Sequence, residues 1–124
     1  MSRRPQVLIV EDDVFIREGL EEFLGSEGFA VRTADNGRAG LAALRELGGR
    51  CVVLLDLQMP VMTGEQFLEE LARSDDPRDR EAAVLVLTAR AEGLQHPCVA
   101  DLLRKPVGLE ELLRAVIRLG GAPS

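Results

Sequence analysis

Short apolar runs alternate along this chain with stretches in which apolar residues recur every three or four positions. Gln6-Val7-Leu8-Ile9-Val10 is the first run, and it stops at Glu11-Asp12-Asp13. Ile16, Leu20, Phe23 and Leu24 then recur at helical spacing, so the pattern predicts a strand, an acidic turn and an amphipathic helix. Gly25 and Gly28 are expected to end that helix. Residues 30–34 alternate apolar and polar, as a strand at a sheet edge would. Asn36-Gly37 opens a second helix marked by Gly40, Ala43, Leu44 and Leu47, and Gly48-Gly49 closes it. Val52-Val53-Leu54-Leu55 is apolar on both faces, ends on Asp56, and is followed by Gln58-Met59-Pro60 and Gly64. Phe67, Leu68 and Leu71 mark a third helix, after which residues 74–81 are so charged that they predict a solvated loop. Residues 82–87 form another buried strand ending in Thr88. Between Ala89 and Val99 there is room for one short helix, interrupted at His96-Pro97. Leu102-Leu103-Arg104 is a brief strand stopped by Lys105-Pro106, and Leu109, Leu112, Leu113, Val116 and Ile117 form the last helical face.

Five strands alternating with helices imply right-handed crossovers and an α/β fold, a parallel sheet with helices on both faces. The doubly wound order 2-1-3-4-5, known from flavodoxin, fits best: the most apolar strands take the centre and the alternating second and brief fifth take the edges. One domain over residues 1–124 is expected, with a core at 6–119 and a flexible tail at 120–124. In that order the carboxyl ends of the first and third strands flank the point where the winding reverses, which is where such sheets bind ligands. Glu11, Asp12 and Asp56 would meet there. Three close carboxylates repel unless something compensates them, and hard oxygen donors without His or Cys favour Mg²⁺. A cation beside a carboxylate that can attack phosphorus suits formation of an acyl phosphate on Asp56. Thr88 and Lys105, at the ends of the fourth and fifth strands, add a hydroxyl donor and an ammonium to the same rim. Lys105 could also pair with Asp56.

Composition narrows the partners. A formal charge of −6 argues against binding nucleic acid directly, against anionic membranes and against an acidic partner. No apolar run is long enough to span a bilayer, and the first residues lead straight into a strand, so a cytoplasmic protein is expected. Cys51 and Cys98 lack metal-like spacing and read as small apolar residues. A flavin-binding protein would need a phosphate-cradling loop and stacking aromatics after the first strand, where this chain has acids, and it has neither Trp nor Tyr.

Each polar residue also has a plainer reading. Asp13 could cap a helix with Glu11 and Asp12 near its positive end, Thr88 could be a cap, Asp56 could open a turn, and Lys105-Pro106 is a common dipeptide. Their joint placement at the ends of strands one, three, four and five favours a shared site.

With these residues together, the chain resembles the receiver domains of two-component response regulators from about Val7 to Leu119. The resemblance rests on Val7-Leu8-Ile9-Val10-Glu11-Asp12-Asp13, on Leu54-Leu55-Asp56-Leu57-Gln58-Met59-Pro60 with Gly64, on Leu87-Thr88-Ala89 and on Lys105-Pro106. It implies that Asp56 accepts a phosphoryl group from a histidine kinase, a phosphotransfer protein or a small acyl phosphate. It further implies that Asp12, Asp56 and the backbone carbonyl of Gln58 hold Mg²⁺, that Glu11 acts mainly through water, and that Thr88 and Lys105 bind phosphoryl oxygens. Arg17 fixes the register of the acidic pair, since it then falls where the family often has an arginine. Catalysis would be limited to the domain's own phosphorylation and dephosphorylation, the output being contact with a downstream protein, with a weak homodimer as an option.

Two departures stand out. Receivers commonly carry Tyr or Phe where this chain has Leu102, and the segment from Thr88 to Lys105 is short, so the fourth helix is expected to be stunted. Both favour a competing reading, a binding module that keeps the site but signals without phosphorylation. Gln58 and Arg90, beside the site, are expected to tune dephosphorylation or simply to be exposed.

Overall fold

A computed structural model describes residues 5–48, 50–59, 61–89 and 96–123. Five parallel strands, β1 (Gln6–Val10), β2 (Ala30–Ala34), β3 (Val52–Asp56), β4 (Ala83–Thr88) and β5 (Val99–Arg104), lie in the order β2-β1-β3-β4-β5. The described helices are α1 (Val14–Ser26), α2 (Gly37–Glu46), α3 (Gly64–Arg73) and α4 (Leu109–Gly120). The expected order is therefore the observed one. The expected short helix between β4 and β5, and Arg90 with it, fall largely at 90–95, outside the described residues.

Successive strand residues face opposite sides of a sheet, and here that parity builds two apolar layers. Leu8, Val10, Val53, Leu55, Val84 and Val86 pack with Leu41 and Leu44 of α2 and with Phe67, Leu68 and Leu71 of α3. Val7, Ile9, Val52, Leu54, Leu85 and Leu87 pack on the other side with Leu24 of α1 and Leu112, Ala115 and Val116 of α4. Because both faces are covered, β1, β3 and β4 are almost continuous apolar runs. β2 shows the mixed burial of an edge.

The crossovers bring the amino ends of α1, α2 and α3 to the same rim as the carboxyl ends of the strands. Each start is chemically marked. Asp13 accepts from Phe15 N at 2.9 Å and Ile16 N at 3.1 Å, and Asn36 accepts from Ala39 N at 2.8 Å. Thr63 and Gln66 form a reciprocal capping box. Each such cap contributes roughly 1 kcal/mol and fixes where the chain leaves the rim.

Boundaries differ from the sequence reading in places. α1 runs past Gly25, and the turn is made at Gly28, whose φ of +100° suits glycine. β5 begins at Val99, three residues before the expected start, because Val99 already pairs with Val84, ahead of a register shift between Val84 and Leu85. α4 includes Gly120, so the last turn of helix reaches into the expected tail. Within the stretch expected as a solvated loop, Pro77–Glu81 is a 3₁₀ turn that buries Asp79 to 2% exposure. Asp76 caps the turn by accepting from Arg78 N at 2.9 Å, which points Asp79 inward to accept from the Ser74 hydroxyl. A turn that rotates one acid inward cannot be read from charge density.

The loop between β3 and α3 closes on itself. Gly64 N–H donates to Leu57 O at 3.1 Å, and a side-chain carbon on Gly64 would lie 2.6 Å from Leu57 Cα, so only glycine permits this approach. Val61 turns the loop with a φ of +70° while 74% exposed. A β-branched residue in that conformation costs roughly 1–2 kcal/mol. Val61→Asn, which tolerates the conformation and gives up little burial, is expected to stabilise the fold by about 1 kcal/mol in urea denaturation.

Candidate functional site

Glu11 follows β1 directly, and its N–H donates to Ala34 O of β2 at 3.0 Å, which extends the sheet by one bond and turns the side chain into the rim. The residue is 3% exposed. Asp12 beside it is exposed. Arg17, one turn into α1, donates to Glu11 O at 2.9 Å and to Asp12 O at 3.4 Å, so the arginine that served in the sequence only as a register mark clamps the acidic turn.

Asp56 closes β3 and is 7% exposed. One carboxylate oxygen from each of Glu11, Asp12 and Asp56 lies within 4.8 Å of the others, so the sequence-predicted cluster is assembled. Asp56 Oδ1 accepts from Gln58 N at 3.2 Å, while the Gln58 side chain faces solvent. Lys105 Nζ stands 3.3 Å from Asp56 Oδ1 and 3.6 Å from Glu11 Oε1, one ammonium shared by two buried carboxylates.

β4 and β5 deliver the remaining groups side by side. Thr88 is the last residue of β4 and 4% exposed, and its carbonyl accepts from Lys105 N at 2.8 Å, which ties the two strand ends together. The Lys105–Pro106 peptide is cis. Leu102, on β5, is partly buried against the layer formed by α2 and α3.

The electrostatics of the cluster centre on Glu11. Burial pushes its pKa from 4.5 up to about 7, and the hydrogen bond and repulsion from Asp56 push the same way. Lys105 and the Asp13 N–H, which donates at 3.3 Å, pull it back only in part. Near neutral pH Glu11 is therefore only partly ionised, and a further cation in the cluster would favour its charged form.

Comparison with known proteins bears on the same residues. The family model described as response regulator receiver domain matches residues 7–117. The CpxR homolog of Haemophilus influenzae, a transcriptional regulatory protein, is 34% identical over 96% of this chain, and the match covers 53% of that protein. The chain thus spans about half the length of this curated relative. Among solved structures, a CheY-like receiver domain protein from Methanospirillum hungatei is 27% identical with a TM-score of 0.82, covering 96% of both chains. The response regulator TrrA from Thermotoga maritima, solved in complex with Mg²⁺–BeF, is 28% identical with a TM-score of 0.77, covering 93% of this chain and 98% of that one. Sheet order, the acidic rim and a family match over nearly the whole chain agree, and the chain belongs to the receiver domains of two-component response regulators.

Proposed function

We propose that Asp56 is the phosphoacceptor, taking a phosphoryl group from a histidine kinase phosphohistidine, a phosphotransfer protein or a small acyl phosphate. The observation that carries the reading is the placement of Lys105 Nζ 3.3 Å from Asp56 Oδ1 inside a cluster of three carboxylates. A carboxylate oxygen of Asp56 attacks phosphorus, a new O–P bond forms, and the bond to the imidazole nitrogen or acyl oxygen of the donor breaks with its electron pair. Lys105 then moves from the carboxylate to a phosphoryl oxygen, and Thr88 donates its hydroxyl to another. Water later restores the carboxylate, so the domain catalyses only its own phosphorylation and dephosphorylation.

The donor set fits Mg²⁺: oxygen donors only, more than one of them a carboxylate, with Glu11 held part-protonated by burial and then by Asp56. Asp12, Asp56 and the Gln58 carbonyl would hold the ion, with Glu11 acting mainly through water. The ion would neutralise charge on the transferring group. The Mg²⁺–BeF complex of the TrrA relative supports this assignment by analogy.

The output is contact with a downstream protein, through a surface altered by the phosphoryl group. Among the described residues no helix is long and apolar enough to cross a membrane. A cytoplasmic setting is consistent with the two free thiols, Cys51 and Cys98. Leu102 in place of an aromatic favours a second reading, a module that binds its partner without phosphorylation.

Intact mass after incubation with acetyl phosphate tests the proposal. One added phosphoryl group in the presence of Mg²⁺, and none in EDTA, is expected. Absence of the group under both conditions, repeated with a kinase that labels other receivers, would leave the phosphorylation-independent module.

A further inference from the structure

Besides the Thr63–Gln66 capping box, three anchors of the loop that carries Gln58 stand out among the described residues, and two of them are internal to the strand and helix it joins. Gln58 N–H bonds Asp56, and Leu57 meets Gly64. The third reaches across to another helix. Gly37, the first residue of α2, is buried against Met62: a Cβ at Gly37 would lie 2.8 Å from Met62 Cγ, 2.9 Å from its sulfur and 3.0 Å from its Cβ. Contact with Met62 Cβ matters, because a methyl group there could not be relieved by rotating the far end of a flexible side chain. The loop backbone would have to move. Val61 makes the turn that delivers Met62 to this seat, in a conformation that a β-branched residue adopts only when its surroundings enforce it.

We propose that Met62, seated on Gly37, is a positioning residue that sets where the loop presents the Gln58 carbonyl, and hence how tightly the site binds Mg²⁺. The proposal rests on the Mg²⁺ site described above. The glycine is there because α2 must start directly under the loop, and the methionine because a long unbranched side chain can reach and fill the shallow seat. Asn36 caps α2 at this point, so the seat is rigid on its helical side.

The experiment is a double-substitution cycle read by Mg²⁺ titration calorimetry, with the Gln58 amide resonance of the metal-free protein as a second readout. Gly37→Ala is expected to weaken Mg²⁺ binding at least about threefold and to shift the Gln58 amide, although alanine favours the helix. Met62→Ala is expected to weaken binding similarly, Met62→Leu to restore it, and Gly37→Ala combined with Met62→Ala to be no weaker than Met62→Ala alone. Gly25→Ala, which meets nothing within 4 Å, is the control and should bind as wild type does. Wild-type affinity and an unmoved Gln58 amide in both Gly37→Ala and Met62→Ala would overturn the positioning role while leaving the metal site intact. Multiplying effects in the double variant would overturn it too. Failure of the wild-type protein to bind Mg²⁺ would overturn the site itself. Should Gly37→Ala not fold, Met62→Ala against Met62→Leu decides.

Discussion

Asp56→Asn is expected to take up no phosphoryl group from acetyl phosphate and Mg²⁺ under conditions that label the wild-type protein fully. Lys105→Ala is expected to take one up roughly 10²–10³ times more slowly. The two losses differ in kind. An amide oxygen carries no charge to attack phosphorus, so Asp56→Asn removes the nucleophile itself. Lys105→Ala leaves the nucleophile and removes the ammonium that stands 3.3 Å from it, the group placed to follow charge onto the phosphoryl oxygens. In the resting domain the same substitution strips two buried carboxylates of their shared cation, since Lys105 also lies 3.6 Å from Glu11. Mg²⁺ binding should therefore persist in Lys105→Ala, because a competing positive charge has gone. A time course of intact mass, with Mg²⁺ affinity measured on the same samples, separates the roles. Undiminished labelling of Asp56→Asn would place the acceptor elsewhere. Loss of Mg²⁺ binding in Lys105→Ala would make the lysine a structural element of the cluster.

Why these four strand ends could be read from the sequence, and other features could not, follows from which interactions are local. A strand buried on both faces must be a nearly continuous apolar run, so Val52-Val53-Leu54-Leu55 declares itself, and the charged residue that ends it is conspicuous. The sheet order then follows from which strands are apolar on both faces and which are not, and with it the meeting of Glu11, Asp12 and Asp56. Contacts made across elements leave no such mark. Gly37 reads as the start of a helix, Met62 as a loop residue, and Arg17 as a position in a register; only the fold shows that the first two touch and that the third bonds the acidic turn. Asp79 is the same case in reverse: surrounded by charge in the sequence, it is turned inward by a 3₁₀ turn whose geometry depends on Asp76 and Pro77.

The metal-free domain is expected to lose stability as pH rises from about 5 to about 7, by up to about 3 kcal/mol, and Mg²⁺ to reverse that slope. The sign comes from Glu11. Its pKa is raised from 4.5 to about 7 in the folded chain, chiefly by burial and then by Asp56, whereas in the unfolded chain it returns to its ordinary value. Below the lower value both states hold the proton and the folded state carries no penalty. Between the two the unfolded chain releases its proton while the folded one keeps it, so unfolding gains with every step upward. Above the upper value both have released it, and the full cost of a buried carboxylate beside Asp56 is present, with Lys105 offsetting only part. Mg²⁺ prefers the deprotonated cluster, so its stabilisation grows over the same interval. Glu11→Gln removes the titrating group and should flatten the metal-free profile. The comparison with that variant isolates the contribution of Glu11 from everything else that titrates in the same interval. Urea denaturation at several pH values, in EDTA and in Mg²⁺, reads all four curves. A metal-free wild-type profile that parallels Glu11→Gln would show that Glu11 is already ionised at pH 5, with Lys105 holding both acids as a resolved triad rather than a strained one awaiting a second cation.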